Sequence, residues 1–283
     1  MRIPQQAPSV MGMHDHDDDH LDDLLDLDGE VLAGYWTEAI EWTVQRTGGH
    51  PCKKILDLGA GTGVGTIRLA GLFPDAEVTA VDLAEASLAR LRATADGLRL
   101  AGRIRTVVAD LDAGWPVPEP VDLTWASMSL HHLADPDRLL STVHAATAPG
   151  GLIALAEFAE PLRFLPDGFA GDLEARCLAA LRHRHTAELP HLGADWAPHL
   201  AAAGFTTPQE RRFDIAVNAI GNPAALRYAR LWLARLAHGL NDHAPAADRQ
   251  ALAGLVRGDG LDTLQRRGEL VIRGTRTVTV ARR

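Results

Sequence analysis

Cysteine is scarce: the 283 residues contain two, Cys52 and Cys177. Neither belongs to a CxxC pair or to a ligand-spaced cluster. That spacing excludes a zinc site and a disulfide framework and fits a reducing compartment. Long apolar runs are also missing; none approaches the roughly 18 residues that a membrane span needs. The opening stretch MRIPQQAPSVMGMHDHDDDH has no apolar segment, so it lacks the pattern of a signal peptide. These absences predict a cytoplasmic protein without a membrane partner. Basic residues are absent from 14–30, where nine carboxylates sit, and that segment accounts for the whole net charge of −9. The body is therefore near neutral and exerts no long-range pull on a polyanion, so duplex nucleic acid is not expected as a partner. The mixture of His and Asp from His14 to His20 has no fixed ligand geometry. It reads as a solvated acidic tail, and no metal is expected.

What is present suits a folded enzyme. Apolar residues make up 46% and charged residues 23%, enough to bury a core without a staple. Residues 1–20 read as a flexible acidic tail and 21–283 as one domain. A helical pattern starts near Leu21, with Gly29 and Gly34 as possible breaks, and a second covers Tyr35 to Arg46. From Lys53 the pattern changes to short apolar strands alternating with helices: KKILDL, AEVTAVDL, RIRTVVADL, VDLTWASMS and GLIALAEF are the strands. Such alternation predicts an α/β fold, with a seven-stranded, mostly parallel, Rossmann-like sheet and helices on both faces. FTTPQERRFDIAVN, residues 205–218, and the C-terminal ELVIRGTRTVTVARR supply the last two strands. Asn222-Pro223 opens a helix, because Asn caps well and Pro suits the first turn. No linker-like run separates 21–48, 159–190 and 219–266 from the core at 53–158, so these segments are expected to cover an acceptor pocket.

The chemistry concentrates in Asp57-Leu58-Gly59-Ala60-Gly61-Thr62-Gly63-Val64-Gly65, between a strand and a helix. Glycines there permit tight turns and close approach of a ligand, and the helix start offers free N–H groups. The G-x-G-x-x-G spacing of dinucleotide folds fails: from Gly59 the third position is Val64, and from Gly61 it is Thr66. A strand that ends in an acid disfavours a pyrophosphate and suits a ligand with positive charge.

ILDLGAGTGVG resembles the first motif of the class I S-adenosylmethionine-dependent methyltransferases of small-molecule type. The resemblance continues through VTAVDLAEASL, VVADLD, VDLTWASMSLHHL and APGGLIALAE, in the family's order, across roughly residues 53–158. It implies S-adenosyl-L-methionine as cofactor and S-adenosyl-L-homocysteine as product. It also implies that Leu58, Gly59, Gly61 and Gly63 line the methionine and ribose, with Asp57 near the amino group. Asp82 would take the ribose hydroxyls, Leu83 the adenine, Asp110 and Leu111 the adenine edge, and Ser127 and Met128 the methionine end. Each acid has a local alternative: Asp57 and Asp82 as helix caps, Asp110 as a turn acid. Tyr35 and Trp36 precede the core and are candidates to shield the sulfonium by a cation–π contact, or else to pack a helix.

His131 and His132 follow the fourth strand, where open α/β sheets bind ligands, and either is a candidate general base. They could equally pack the next helix. Glu157 ends the fifth strand and either reaches the cleft or terminates the strand. His183 and His185 read as helix-end cations. The resemblance implies a methyltransferase for a small molecule, possibly in secondary metabolism. A peptide, protein or RNA acceptor and a non-catalytic binding relative stand as alternatives. Oligomeric state, monomer or homodimer, is open.

Overall fold

The computed structural model describes residues 15–116, 120–240 and 243–283. Side chains at 15–19 and 183–187 lie outside the described residues, and with them those of His183 and His185 and most of the His14 to His20 tract. Two helices come first, α1 (Asp15–Val31) and α2 (Ala33–Arg46). The alternating core follows: β1 (Lys54–Leu58), α3 (Val64–Leu72), β2 (Glu77–Asp82), α4 (Glu85–Gly97), β3 (Ile104–Val108), β4 (Val121–Ser127), α5 (Pro136–Ala146) and β5 (Thr147–Arg163). Then come α6 (Leu173–Glu188), α7 (Trp196–Ala202), β6 (Thr206–Asn218), α8 (Pro223–Leu240), α9 (Ala246–Arg257), α10 (Gly260–Arg266) and β7 (Val271–Arg282).

The strands form one sheet in the order β3-β2-β1-β4-β5-β7-β6. β1 to β5 pair in parallel, and β7 runs antiparallel between β5 and β6. This is the α/β, mostly parallel, seven-stranded sheet that the alternation predicts. The strand order reverses between β1 and β4, and the carboxyl ends at such a reversal form the crevice where ligands bind.

Burial of both faces explains the near-continuous apolar strands. Alternate residues feed two cores. Ile55, Leu123, Trp125, Ala154 and Val280 pack with α1, α2 and α8. Leu56, Leu58, Ala126, Ile153 and Leu155 pack with α5 and α7. Asp135 caps α5 by accepting from the Arg138 N–H, and Asn222 accepts from Ala225 at the start of α8, as its sequence predicts.

Three boundaries differ from expectation. α1 begins at Asp15, ahead of Leu21, inside the stretch read as tail. Further along this helix, Arg90 pairs with Asp23 and Asp26 at 3.0 and 2.6 Å. Gly29 and Gly34 lie inside helices, and the break falls at Leu32, whose backbone (φ −98°, ψ 26°) leaves the helical region. β5 runs on through Arg163 into the segment read as an insertion, because irregularities after Phe158 and Glu160 let it stay paired with β7.

Candidate active site

The loop from Gly59 to Gly63 joins β1 to α3 at the sheet's reversal point. Gly59 (φ +68°) and Gly63 (φ +88°) hold left-handed backbone that side chains resist. A Cβ on Gly59 would overlap the Ser129 side chain, and one on Gly63 would overlap Leu91. The Ser129 hydroxyl donates to the Leu58 carbonyl at 2.9 Å, so the loop after β4 is bolted to the loop after β1.

Asp57 ends up buried, at 2% exposure. Its Oδ2 accepts from the Thr66 hydroxyl in the first turn of α3 at 2.6 Å, which ties the strand end to the start of that helix. Burial pushes its carboxyl up to about 7, and the nearby Asp82 charge adds to the rise, against the lowering effect of the Thr66 bond. Asp82 closes β2. One oxygen accepts from the Gly61 N–H at 2.8 Å and the other from Ala84 at 2.9 Å, so the carboxylate is fixed at the loop and at the start of α4. Beside it Leu83 is 49% exposed, and Val108, which pairs with Asp82 in register, is 51% exposed. Two large apolar groups thus stand at neighbouring strand ends. Leu111 is buried nearby. Asp110 is exposed, and its carboxylate accepts from the Asp112 N–H at 2.9 Å, which gives it the turn role named above as its alternative.

At the end of β4, the Ser127 hydroxyl is buried with no hydrogen-bond partner, and so is Thr62 in the glycine loop. Met128 takes a left-handed backbone (φ +54°) with its N–H bonded to the Ala156 carbonyl at 2.8 Å. This turn leads into a short 3-10 segment, Leu130–His132. Here the two histidines diverge. His131 is buried and His132 is exposed, with ring centres 4.2 Å apart. His131 Nδ1 lies 2.7 Å from Oε2 of Glu157, which does not end β5 but sits within it, one residue past its pairing with β4, and both side chains are almost fully buried (3% and 4% exposed). A carboxylate only accepts, so Nδ1 carries the proton and Nε2 of the neutral ring is the basic atom. Glu157 Oε1 is buried and unpartnered.

Tyr35 and Trp36 are placed as packing residues. Trp36 donates through Nε1 to Asp28 at 2.9 Å and lies against Trp125. The Arg276 guanidinium sits 4.9 Å from the Tyr35 ring centre, so the cation over that ring belongs to the protein. Arg276 is buried and bonds Asp28 with both Nη atoms, while Tyr228 donates to Asp28 at 2.7 Å. No sequence signal pointed to this cluster, because Asp28 and Arg276 stand 248 positions apart.

The residues present fit S-adenosylmethionine. Acids end two neighbouring strands, as an ammonium and a ribose diol require. Exposed apolar groups flank the second acid, and two orphaned hydroxyls line the loop and the end of β4. Among the described residues, no helix is long and apolar enough to cross a membrane.

Residues 55–151 match the family model of a methyltransferase domain. The chain is 30% identical over 212 residues to the trans-aconitate 2-methyltransferase of Variovorax paradoxus, covering 74% of this chain and 68% of that protein. It is 32% identical over 168 residues to the malonyl-[acyl-carrier protein] O-methyltransferase of Laribacter hongkongensis, covering 56% and 52%. The chain spans between 26% and 52% of the length of four of the curated relatives it matches. Among solved structures, the YcgJ protein of Bacillus subtilis shares the fold, with a TM-score of 0.54, 14% identity and coverage of 87% and 97%.

Proposed function

The chain belongs to the class I S-adenosylmethionine-dependent methyltransferase family, and on that premise we propose that it methylates a small-molecule acceptor at a hydroxyl group. The observation that carries the choice of acceptor atom is the buried His131–Glu157 pair, which forms just past the point where β4 stops pairing with β5. A hydroxyl must lose its proton as it is methylated, and a buried imidazole held by a carboxylate is suited to take it. A carbon acid that is already ionised in water could be methylated without such a pair. Relatives named for O-methylation of a malonyl group and for C-methylation both occur, so the choice of a hydroxyl rests on the pair alone.

S-adenosylmethionine supplies, when bound, a methyl group already activated by the sulfonium. The chain's own residues bind and orient. Asp57 faces the ammonium of the methionine end, and Ser127 and Met128 border that end. Asp82 would accept from the ribose hydroxyls, and Leu83 and Val108 would offer apolar surface to the adenine. His131 receives the acceptor proton at Nε2, and Glu157 stabilises the imidazolium that results. Burial keeps water from competing for either group. The near-neutral body favours a small acceptor over a polyanion.

The test is transfer of a labelled methyl group from S-adenosylmethionine to a panel of small alcohols, phenols, carboxylic acids, amines and carbon acids. Labelling of hydroxyl compounds, lost in His131→Ala, supports the proposal. Labelling of carbon acids alone, at a rate that His131→Ala leaves intact, would overturn it.

A further inference from the structure

Helix α1 lies directly on the glycine loop. A Cβ on Gly61 would come within 2.9 Å of the Leu25 side chain, and one on Gly29 within 2.7 Å of Val64 at the start of α3. Arg68 of α3 donates to the Gly29 carbonyl at 2.7 Å. α1 is therefore the roof of the loop, and its position sets the space above Gly61.

One residue of that roof gathers its attachments to the rest of the molecule. Asp28 accepts from Arg276 of β7, Tyr228 of α8 and Trp36 of α2. Other bonds also hold α1: Ser87 donates to the buried Asp22, Arg90 pairs with Asp23 and Asp26, Arg227 pairs with Asp23, and Arg68 reaches the Gly29 carbonyl, but none of these groups is bonded from three elements as Asp28 is. Burial works against charge on Asp28, and the Arg276 guanidinium outweighs it and holds the carboxyl below its usual range. The same guanidinium stands 5.5 Å from the ring centre of Phe158, the residue after Glu157. The ring of Phe158 in turn lies 5.9 Å from that of His131. A continuous set of contacts thus runs from the roof of the glycine loop to the pair proposed to deprotonate the acceptor.

We propose that Asp28 is a positioning residue for cofactor binding, which fixes α1 over the glycine loop and ties it to the strand that carries Glu157. The inference rests on the proposal that this loop binds S-adenosylmethionine. Asp28 touches neither cofactor nor acceptor and acts through α1.

The experiment is calorimetric titration of S-adenosylhomocysteine into wild type, Asp28→Asn, Tyr228→Phe and Leu140→Ala, with thermal unfolding of each. Leu140 is buried in the opposite core under α5, and its truncation controls for destabilisation alone. The expected result is an affinity loss of about tenfold or more in Asp28→Asn, the size of an ordinary coupling between two sites. Tyr228→Phe keeps the ion pair and should lose less, and Leu140→Ala should bind like wild type despite a lower melting temperature. Should Asp28→Asn not fold, Tyr228→Phe decides the matter alone. Wild-type affinity in the folded Asp28 or Tyr228 variant, or an equal loss in Leu140→Ala, would overturn the inference. Failure of the wild type to bind would overturn the cofactor reading, and this inference with it.

Discussion

Replacing Asp57 with Asn should make the protein more stable and a weaker binder, and the two effects share one cause. Burial raises the Asp57 carboxyl from 3.8 to about 7. That is about 3 units, or about 4 kcal/mol held against the ionised form. A carboxyl raised in the folded state contributes stability that is fully present below its unfolded value. The contribution is lost as pH rises through its folded value, here between about 4 and 7. Asn carries no such penalty and can still accept from Thr66, so Asp57→Asn should gain about 2–3 kcal/mol at pH 8 after a weaker hydrogen bond is allowed for. At pH 4.5 the two proteins should differ little. Thermal unfolding at both values reads this directly, and the gain corresponds to a rise of roughly 4–12 °C at pH 8. The bound ammonium of S-adenosylmethionine requires the ionised carboxylate. Wild-type affinity should therefore climb with pH up to about 7 and flatten above it, whereas Asp57→Asn should bind weakly at every pH. A variant that is destabilised at pH 8, or that binds with the same pH profile as wild type, would refute the reasoning.

Other expectations follow from the same geometry. His131→Ala should slow turnover by about 100-fold or more, the range of general-base catalysis, while cofactor affinity is kept. Glu157→Gln should fall in the same direction, and turnover assays at saturating cofactor decide both. Asp82→Ala should weaken cofactor binding by about 1–3 kcal/mol through lost hydrogen bonds, read by calorimetry. Gly63→Ala should destabilise by more than about 1 kcal/mol, because φ is +88° and the new methyl overlaps Leu91. Denaturant unfolding measures that loss.

The parts legible in the sequence are those in which chemistry is local. Asp57 and its glycines announce a strand, a turn and a helix start within nine residues, and the Asn222-Pro223 cap is shorter still. The strands of the sheet were legible because burial on both faces forces continuous apolar runs. Pairings across the chain were not. His131 and Glu157 each read as lying near a strand end, but their 2.7 Å contact depends on β4 and β5 lying side by side. Asp28 reads as one more acid in an acidic stretch until β7 brings Arg276 against it. Asp23 and Asp26 likewise give no sign in the sequence of their partners, Arg227 and Arg90, which are remote along the chain. For Tyr35 and Trp36 the sequence leaves a shielding and a packing role equally open, and their rings belong to the core.

The account stands most directly on the cofactor. Calorimetric titration of the wild-type chain with S-adenosylmethionine and S-adenosylhomocysteine should give micromolar binding of both at neutral pH, weakened for both in Asp82→Ala. Binding of neither molecule, with the protein folded, would contradict it.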